Sequence, residues 1–550
     1  MGFLTADRLA LHLGVPHDSI LRAGAGRLHV LREASSHGHV FLPRADLQSK
    51  AADLLGVDDD RVGDALDSLA ATGGVVHSRD GAIEDVYLPT LYDAEVESIQ
   101  HLIRLLQASR GSQQRPVPSI ANAETATELE LSAEQREAIR LALTEKVLVV
   151  TGGPGTGKTT IIQVLTRLLE QQHLRVLLAS PTGRAAKRLS DVTGRPASTI
   201  HRLLGYAAGI GFARTADRPL DADVVVIDEM SMVDTWLFAA LVQAVPSRAT
   251  LILIGDAGQL PSVGPGTVLT DLLSIPEIPA IRLSVVYRQA AESQIVRCAY
   301  RVLQGLLPSL DLPADGSDFG FFPEPDPQRL QTLVVRLAAT EIPRQCHVDP
   351  FTELQVLTPI HRGPVGTVAL NEALQAALNP PGPAKRELRH GATIFRDGDR
   401  VMCTQNIYDD RQLMNGDVGR VTGVEPDTGR VHAVFDDRTV LFERHDLDDL
   451  VLCYACSVHK AQGSEYRVCL VIMSLDHYRM LVRNLLYAAI TRGKELVLLV
   501  GNPKAVAVAV RTENTSQRYS ALPRRFELAC TVPAPPPPEA PATIPQPAGH

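Results

Sequence analysis

The chain has 550 residues, of which 45% are hydrophobic, enough for about three or four packed domains. Its net charge of −9 argues against non-specific coating of nucleic acid, but leaves room for a local basic groove. No run of about 20 apolar residues occurs, the N-terminus lacks a signal-peptide pattern, and the seven cysteines are scattered. We therefore expect no membrane partner and a cytoplasmic location.

The first 110 residues favour an N-terminal helical module. Two helices are predicted between Leu47 and Leu69, followed by a β-hairpin built from Gly73 to His77 and Val86 to Leu88. Helices followed by a small hairpin are typical of a winged-helix module, which either touches DNA or only packs. The polar residues 111–130 are predicted to be a linker.

Alternating strands and helices then predict an α/β fold with parallel sheets. The first core is expected over residues 131–305, with strands at Val147–Val150, Val176–Ala179, Val224–Ile227 and Leu251–Ile254. A second α/β core is expected over residues 306–510. Short strands between Gly/Asp turns predict a small β-barrel inserted at about 395–445. Residues 511–550 read as a C-terminal extension with a disordered proline-rich tail from Val532.

The segment from Gly152 to Thr159 has the sequence GGPGTGKT between an apolar strand and a helix pattern. Strand, glycine turn and helix are the context of a phosphate-binding P-loop, whose backbone N–H groups and helix N-terminus bind a triphosphate. Lys158 can reach the β- and γ-phosphates, and the Thr159 hydroxyl can hold Mg²⁺. The sequence thus predicts ATP and Mg²⁺ binding by Gly153, Pro154, Gly155, Thr156, Gly157, Lys158, Thr159 and Thr160.

Two further apolar strands end in polar residues. Asp228 follows one strand and is expected to orient Mg²⁺, while Glu229 is expected to position the attacking water. Gln259 follows the other strand and is expected to sense the γ-phosphate. A solvated turn and a simple strand exit are the alternatives.

The only close cysteine pair is Cys453 and Cys456. A metal or redox interpretation needs a second pair, histidines at ligand spacing or a thioredoxin-like context, and none is present in the sequence. The stretch Leu452 to Cys456 is therefore predicted to be one buried strand.

The motifs together resemble a RecD-like superfamily 1 DNA helicase. Beside the P-loop and the strand ends, the resemblance rests on these stretches: Leu131–Arg136, Ala179–Ala186, Ser198–Leu204, Val286–Gln289, Leu357–Pro359, Tyr454–Tyr466 and Leu486–Arg492. They occur in the family's order between about residues 3 and 505. The resemblance implies two RecA-like cores and movement 5′ to 3′ on single-stranded DNA.

The resemblance also implies roles for individual residues. Gln135 would read adenine, Arg288 and Arg492 would be arginine fingers across the cleft, and Glu465 would accept from the ATP ribose. The segment from Tyr206 to Leu220 would form a duplex-splitting β-hairpin, although a plain loop is nearly as compatible. The implied strand contacts are Pro181, Thr182, Arg184, Thr199, His201, Arg202, Thr358, Ser457 and His459. Their hydroxyls and donors suit phosphates, but each alone could equally be a helix cap or a solvated side chain.

The predicted function is therefore an ATP-dependent DNA helicase of repair or recombination. It is expected to act as a monomer on single-stranded DNA and on single-strand/duplex junctions. One alternative is the motor subunit of a larger exonuclease complex with a nuclease or repair partner. Another is a nucleotide-gated DNA-binding switch without translocation, which the arginine fingers and Glu229 disfavour.

The extreme N-terminus departs from the family pattern. Gly2 to Asp7 resembles only the end of the helix-hairpin-helix region that usually precedes the winged-helix part. The role of that region in engaging DNA or a partner is therefore in doubt for this chain.

Overall fold

The computed structural model describes residues 2–57, 59–80, 83–108, 119–127, 130–287, 292–314, 316–407, 411, 413–436, 438–513 and 518–531. Three predicted features lie outside these residues: the proposed arginine finger Arg288, the first part of the linker, and the proline-rich tail from Val532.

The N-terminal module is helical with a small antiparallel sheet. Its sheet has the strand order Phe41–Pro43, Ile83–Tyr87, Val76–Asp80. Its helices are Phe3–His12, Ile20–Ser36, Arg44–Leu55, Asp59–Ala71 and Pro89–Gln107. Leu42, Leu47 and Leu66 are fully buried in its core. The predicted helix pair and hairpin are confirmed.

The predicted linker is partly wrong. A helix, Ile120–Thr127, occupies its second half. Ala123 is buried there in the hydrophobic cluster of the first core. Burial of this small side chain against the core gives the helix a tertiary contact that the polarity of the sequence did not indicate.

The first core is a six-stranded parallel sheet covered by helices. The strand order is Ala280–Leu283, Val147–Gly152, Thr250–Gly255, Val224–Ile227, Val176–Ser180, Ala197–Thr199. Its helices are Ala133–Thr144, Lys158–Gln171, Gly183–Thr193, Ile200–Leu203, Thr235–Ala244 and Val268–Leu273, with a 3₁₀ turn at Met230–Met232. The next helix, Gln294–Leu303, packs on the second core, where Ile295 and Val302 are buried. All four predicted strands are present. Because the strands are parallel, their carboxyl ends meet at one edge of the sheet.

The second core is a five-stranded parallel sheet. Its order is Phe319–Pro323, Gly493–Gly501, Tyr466–Met473, Leu354–Thr358, Ala455–Ser457. Its helices are Pro327–Arg336, Ile342–Cys346, Thr367–Leu378, Arg483–Ile490 and Pro503–Arg511; Leu337–Glu341 is a π-helical turn, and Leu475–Met480 is a 3₁₀ turn. Another 3₁₀ turn, Asp446–Asp449, belongs to the inserted β domain. The predicted α/β fold with two cores is confirmed.

The inserted β domain interrupts the second core. It is an antiparallel sheet with the order Arg438–Phe442, Arg430–Phe435, Val418–Glu425, Arg400–Cys403, Leu450–Leu452, next to a hairpin of Glu387–His390 and Thr393–Arg396. The chain leaves this sheet at Leu452 and enters the second core at Ala455. The prediction of one strand from Leu452 to Cys456 is wrong, because Cys453 and Tyr454 are the crossing point between two sheets. Both cysteines of the close pair are buried there as free thiols.

The C-terminal extension contains a helix, Leu522–Thr531, that packs back on the first core and the N-terminal module. Leu522 and Phe526 are buried in the same cluster as Ile99 and Leu102. Arg525 pairs with the buried carboxylate of Glu95 at 3.1 Å. This helix therefore joins the N-terminal module to the first core. Among all the helices described, none is both long and apolar enough to cross a membrane.

We expect Phe526→Ala to lower the free energy of unfolding by about 3–5 kcal/mol, because a buried aromatic ring leaves a cavity. Thermal melting of the full chain measures this. Leu528→Ala on the same helix is the control, since Leu528 is 42% exposed and its loss should cost little. Equal melting temperatures for the two variants would show that the helix adds nothing to stability.

Candidate nucleotide site and nucleic-acid groove

The P-loop connects the strand Val147–Gly152 to the helix Lys158–Gln171. Gly155 and Gly157 have φ of 74° and 76°, the left-handed region that glycine adopts without strain. A Cβ on Gly157 would collide with Nε2 of Gln135, so no other residue fits there. The loop is thus shaped to present backbone N–H groups at a helix N-terminus, as a triphosphate requires.

Lys158 is the first residue of the helix and lies over the loop. Its Nζ donates to the carbonyl oxygens of Gly152, at 2.5 Å, and Gly153, at 3.0 Å. Thr159 and Thr160 follow it, both half-buried on the first helical turn. These positions fit the predicted contacts to the β- and γ-phosphates and to Mg²⁺.

Asp228 and Glu229 form an acid pair beside the P-loop. Burial, and then the Glu229 carboxylate, raise the pKa of Asp228 to about 6, while Lys158 acts in the opposite direction. Glu229 has φ of 57°, a left-handed conformation that costs a non-glycine residue on the order of 1 kcal/mol. Such strain is typical of functional sites. Both residues are half-buried, and two adjacent carboxylates beside the P-loop fit a divalent cation better than a solvated turn.

Gln259 lies at the end of the strand Thr250–Gly255, as predicted. Its Oε1 is buried and finds no hydrogen-bond partner among the described residues. It shares a cavity of about 360 Å³ with Ser231, Asp256 and, on the second core, Asn484. A buried acceptor without a partner is costly, so the side chain fits a role toward a ligand or water in the cleft.

Gln135 is hydrogen-bonded within the protein, and the adenine contact that the resemblance implied stays a prediction. Its Oε1 accepts from the backbone N of Ser132 in a capping box and from the Tyr287 hydroxyl, and its Nε2 donates to the Thr156 carbonyl at 3.0 Å. The side chain is fully buried. The capping box directs the Gln135 carboxamide back toward the helix N-terminus, and its amide group donates to the P-loop carbonyl of Thr156.

Arg492 and Glu465 also have partners within the protein. The guanidinium of Arg492 donates to the carbonyls of Ala488 and Ser464 and to the Thr491 hydroxyl. Glu465 pairs with Arg188 of the first core and, at 3.2 Å, with Lys494. In this conformation Arg492 is hydrogen-bonded within the second core and Glu465 bridges the cores, and the nucleotide roles expected of both stay predictions.

A groove of about 990 Å³ runs between the two cores and the inserted β domain. Six of the predicted strand contacts line it: Pro181, Thr182, Thr199, His201, Ser457 and His459. Thr182 and Thr199 are N-caps that accept from the backbone N of Ala185 and Arg202. The helix-cap alternative is therefore correct for both, but a capping hydroxyl keeps its proton for donation to a phosphate at the helix N-terminus.

Three predicted strand contacts lie elsewhere. Thr358 is fully buried and donates to the Val365 carbonyl at 2.7 Å. Arg184 bridges the cores by donating to the hydroxyls of Ser464 and Tyr466, at 2.7 and 2.9 Å. Arg202 lines an adjoining cleft of about 420 Å³ between the first core and the inserted domain, which shares Thr199 with the groove. Thr358 and Arg184 therefore donate to acceptors within the protein. Their positions in the sequence motifs gave no sign of these partners.

The groove contains further polar residues that sequence reasoning did not assign. They are His361, Arg362, Asn406, Asn415, Lys460 and Gln462. Lys460 directly follows His459 in the motif stretch Tyr454–Tyr466, so the sequence could have indicated it as a strand contact. Burial lowers the pKa of both His201 and His459, with Arg518 and His361 adding to the effect on His459. No carboxylate occurs among the described residues that line the groove.

Two tyrosines at the nucleotide site were also missed by sequence reasoning. The Tyr487 hydroxyl, from the second core, donates to Oδ2 of Asp256 at 2.6 Å. The Tyr300 hydroxyl donates to the Pro154 carbonyl at 3.4 Å. A Cβ on Gly153 would lie 2.6 Å from the Tyr300 hydroxyl and 3.2 Å from that of Tyr487. Both rings therefore stand directly against the P-loop.

Fold and site together define a two-core P-loop motor protein with a groove for an anionic polymer. Family models match four segments: an AAA domain at residues 135–265, an ATP-dependent RecD-like DNA helicase SH3 domain at 370–435, a UvrD-like helicase C-terminal domain at 452–500, and an ATP-dependent RecD2 DNA helicase HHH domain at 1–41. The last match is longer than the stretch from Gly2 to Asp7 in which that region was recognised by sequence.

The ATP-dependent RecD2 DNA helicase of Deinococcus radiodurans is 34% identical over 95% of this chain and 72% of its own length. The RecBCD enzyme subunit RecD of Mycobacterium tuberculosis is 31% identical over 92% of this chain and 89% of its own length. This chain belongs to the RecD2-like family of ATP-dependent DNA helicases.

Solved structures of Pif1 helicases are also similar. That from Candida albicans is 19% identical with a TM-score of 0.42, covering 73% of this chain and 100% of its own. That from Bacteroides in complex with ADP-AlF3 and ssDNA is 18% identical with a TM-score of 0.43, covering 73% and 97%. At these TM-scores the likeness carries no functional information.

We expect Lys158→Ala to lower the rate of ATP hydrolysis by about 10²-fold or more, because it removes the positive charge placed over the loop without disturbing a core. Steady-state ATPase activity with single-stranded DNA measures the effect. Lys50→Ala, on a helix of the N-terminal module, is the matched control and should retain wild-type activity. A normal rate in Lys158→Ala would contradict the P-loop assignment.

Proposed function

We propose that this chain hydrolyses ATP to move 5′ to 3′ along single-stranded DNA and to unwind duplex at single-strand/duplex junctions. The observation that carries the proposal is the groove: it lies between two cores, has two helix N-caps in its wall, and has no carboxylate among its described lining residues. In a protein with net charge −9 such a surface favours a phosphate backbone.

The nucleotide roles follow from the geometry of the first core. Lys158 and the P-loop backbone would bind the phosphates, and Thr159 with Asp228 would hold Mg²⁺. When bound, Mg²⁺ neutralises charge on the β- and γ-phosphate oxygens. Glu229 orients the attacking water and accepts its proton, while Gln259 senses the γ-phosphate by donating from its Nε2 amide, which leaves the unpaired Oε1 to accept from a water. Arg288 and Arg492 remain the candidates for stabilising the transition state from across the cleft.

Movement requires that nucleotide state changes the spacing of the cores. Polar contacts join them at the cleft: Arg184 to Ser464 and Tyr466, Arg188 to Glu465, and Tyr487 to Asp256. Such contacts break and form at small cost, unlike a continuous apolar interface. Closure on ATP and opening after hydrolysis would let the two sides of the groove grip the strand alternately.

A short hairpin beside the groove is suited to separating strands. Its strands, Tyr206–Ala207 and Gly211–Phe212, pair as a hairpin and not as a plain loop, which supports the strand-splitting role that the resemblance implied. The rings of Tyr206 and Phe212 pack with His201 and Trp236, which fixes the base of the hairpin to the first core. Ile210 at the tip is 89% exposed. A supported hairpin with an exposed apolar tip can wedge between base pairs.

A second candidate is the motor subunit of an exonuclease complex, which the match to a RecBCD enzyme subunit RecD favours. Affinity purification of the full chain from its own cells decides between them. A stoichiometric nuclease partner would support the subunit, whereas unwinding by the chain alone would support the free helicase.

We expect Glu229→Gln to bind ATP normally but to hydrolyse it about 10²–10⁴-fold more slowly, because water is no longer positioned while Asp228 still orients Mg²⁺. Nucleotide affinity and single-turnover hydrolysis are measured separately. Asp228→Asn is the comparison and should also weaken Mg²⁺-dependent binding. Loss of affinity in Glu229→Gln would indicate a structural role for this strained residue.

For polarity, we expect unwinding of a duplex with a 5′ single-stranded tail and little unwinding of one with a 3′ tail. Direction depends on which side of the groove grips more tightly in the ATP state, a difference of a few hydrogen bonds of about 1 kcal/mol each. Strand displacement with ATP and Mg²⁺ on both substrates, at equal tail length, is the measurement. Preference for the 3′ tail would reverse the assigned polarity and leave the ATPase roles intact.

A further inference from the structure

A loop of the first core connects the proposed phosphate sensor Gln259 to the groove. It begins at Gln259, in the cavity of about 360 Å³ that Asp256 and Asn484 also line, and ends at Gly266. Val263, in its middle, is 74% exposed and lines the groove. The groove residue Gln462 donates to the Leu260 carbonyl at 3.3 Å. The loop therefore meets the groove at two points close in sequence to the proposed phosphate sensor.

The far end of this loop is held by Arg518, a residue of the C-terminal extension. Its Nη1 donates to the carbonyl oxygens of Gly264 and Gly266, both at 3.0 Å. Its guanidinium also lies against the backbone of Gly38, where a Cβ would collide with it. Gly38 in turn accepts from the backbone N of Gly266 at 2.9 Å. One cation thus fixes the C-terminal end of the loop.

Arg518 is itself anchored independently of the groove. The next residue, Tyr519, donates from its hydroxyl to Asp46 at 2.9 Å, and Ser520 donates to Asp271 at 2.7 Å. Arg524, on the helix that follows, pairs instead with Asp85 and Asp80 of the N-terminal module, so these pairs hold the helix and not Arg518. The segment is therefore fastened to the N-terminal module and the first core, and gives Arg518 a fixed base.

We propose that Arg518 is a positioning residue that couples occupation of the groove to ATP hydrolysis by fixing one end of the loop Gln259–Gly266. With Gly264 and Gly266 held, a strand that presses on Val263 displaces Leu260 and Gln259 rather than the loop end. Without Arg518 the displacement is absorbed at the glycines, which are the softest part of the loop. This inference rests on the proposed DNA-dependent ATPase function.

The test compares full-length Arg518→Ala, Arg518→Lys and the control Arg524→Ala. The control removes an arginine of the same C-terminal segment that pairs with Asp80 and Asp85 and not with the loop. Steady-state ATPase is measured against the concentration of oligo(dT), with ATP saturating, and thermal melting reports folding. We expect Arg518→Ala to lower the ratio of stimulated to basal rate about tenfold, the effect of losing charged hydrogen bonds to the loop. Arg518→Lys keeps the positive charge and a compact donor, so this variant should restore part of the ratio.

The outcomes separate the possible roles. Arg524→Ala should keep the wild-type ratio, even if its melting temperature falls. A wild-type ratio in Arg518→Ala, or an equal loss in both alanine variants, would overturn the inference, because the segment would then act through stability alone. A wild-type chain with no stimulation by DNA would instead refute the proposed function, and the inference with it.

Discussion

The site depends on the register of three parallel strands in the first core. Gly255 is paired with Thr151, and Leu253 with Ile227, so the strands end at the same level. This register brings the P-loop, the acid pair and Gln259 to one edge, although about a hundred residues separate Gly152 from Gln259. The hydrogen-bonded ladder holds this alignment regardless of ligands, which preorganises the phosphate-binding and water-positioning groups before the nucleotide arrives.

The second core contributes to this edge through polar contacts. Arg184, Arg188 and Tyr487 each bond across the cleft to an acceptor on the opposite core. The contact between Tyr487 and Asp256 is buried and the other two are partly buried, and an interface made of such separate polar contacts lets the cleft open and close without unfolding either core. Several groups that the resemblance assigned to ligands serve in these contacts here. A change in nucleotide state has only to exchange such bonds for bonds to the ligand.

Charge is distributed so that an acidic protein can hold an anionic strand. Carboxylates are kept at the nucleotide edge, where Asp228 and Glu229 suit a cation, and are missing from the described lining of the groove. The groove relies instead on helix N-caps, hydroxyls and a few cations such as Arg362 and Lys460. Contacts of this type recognise the sugar-phosphate backbone rather than the bases, which agrees with an aromatic content of only 4%.

The sequence by itself determined the two cores, the inserted β domain, the P-loop and the polar strand ends, because strand-helix alternation and glycine spacing are local patterns. It also selected six of the residues that line the groove. Only the tertiary structure decided the hydrogen-bond partners of several predicted site residues. Thr358 and Arg184 donate to acceptors within the protein, and Gln135 forms a capping box. It also showed that Cys453 lies where the chain crosses between two sheets, and that Arg518 of the C-terminal extension donates to a distant loop of the first core. Hydrogen-bond partners far apart in the chain leave no periodic signal, so only the folded chain reveals them.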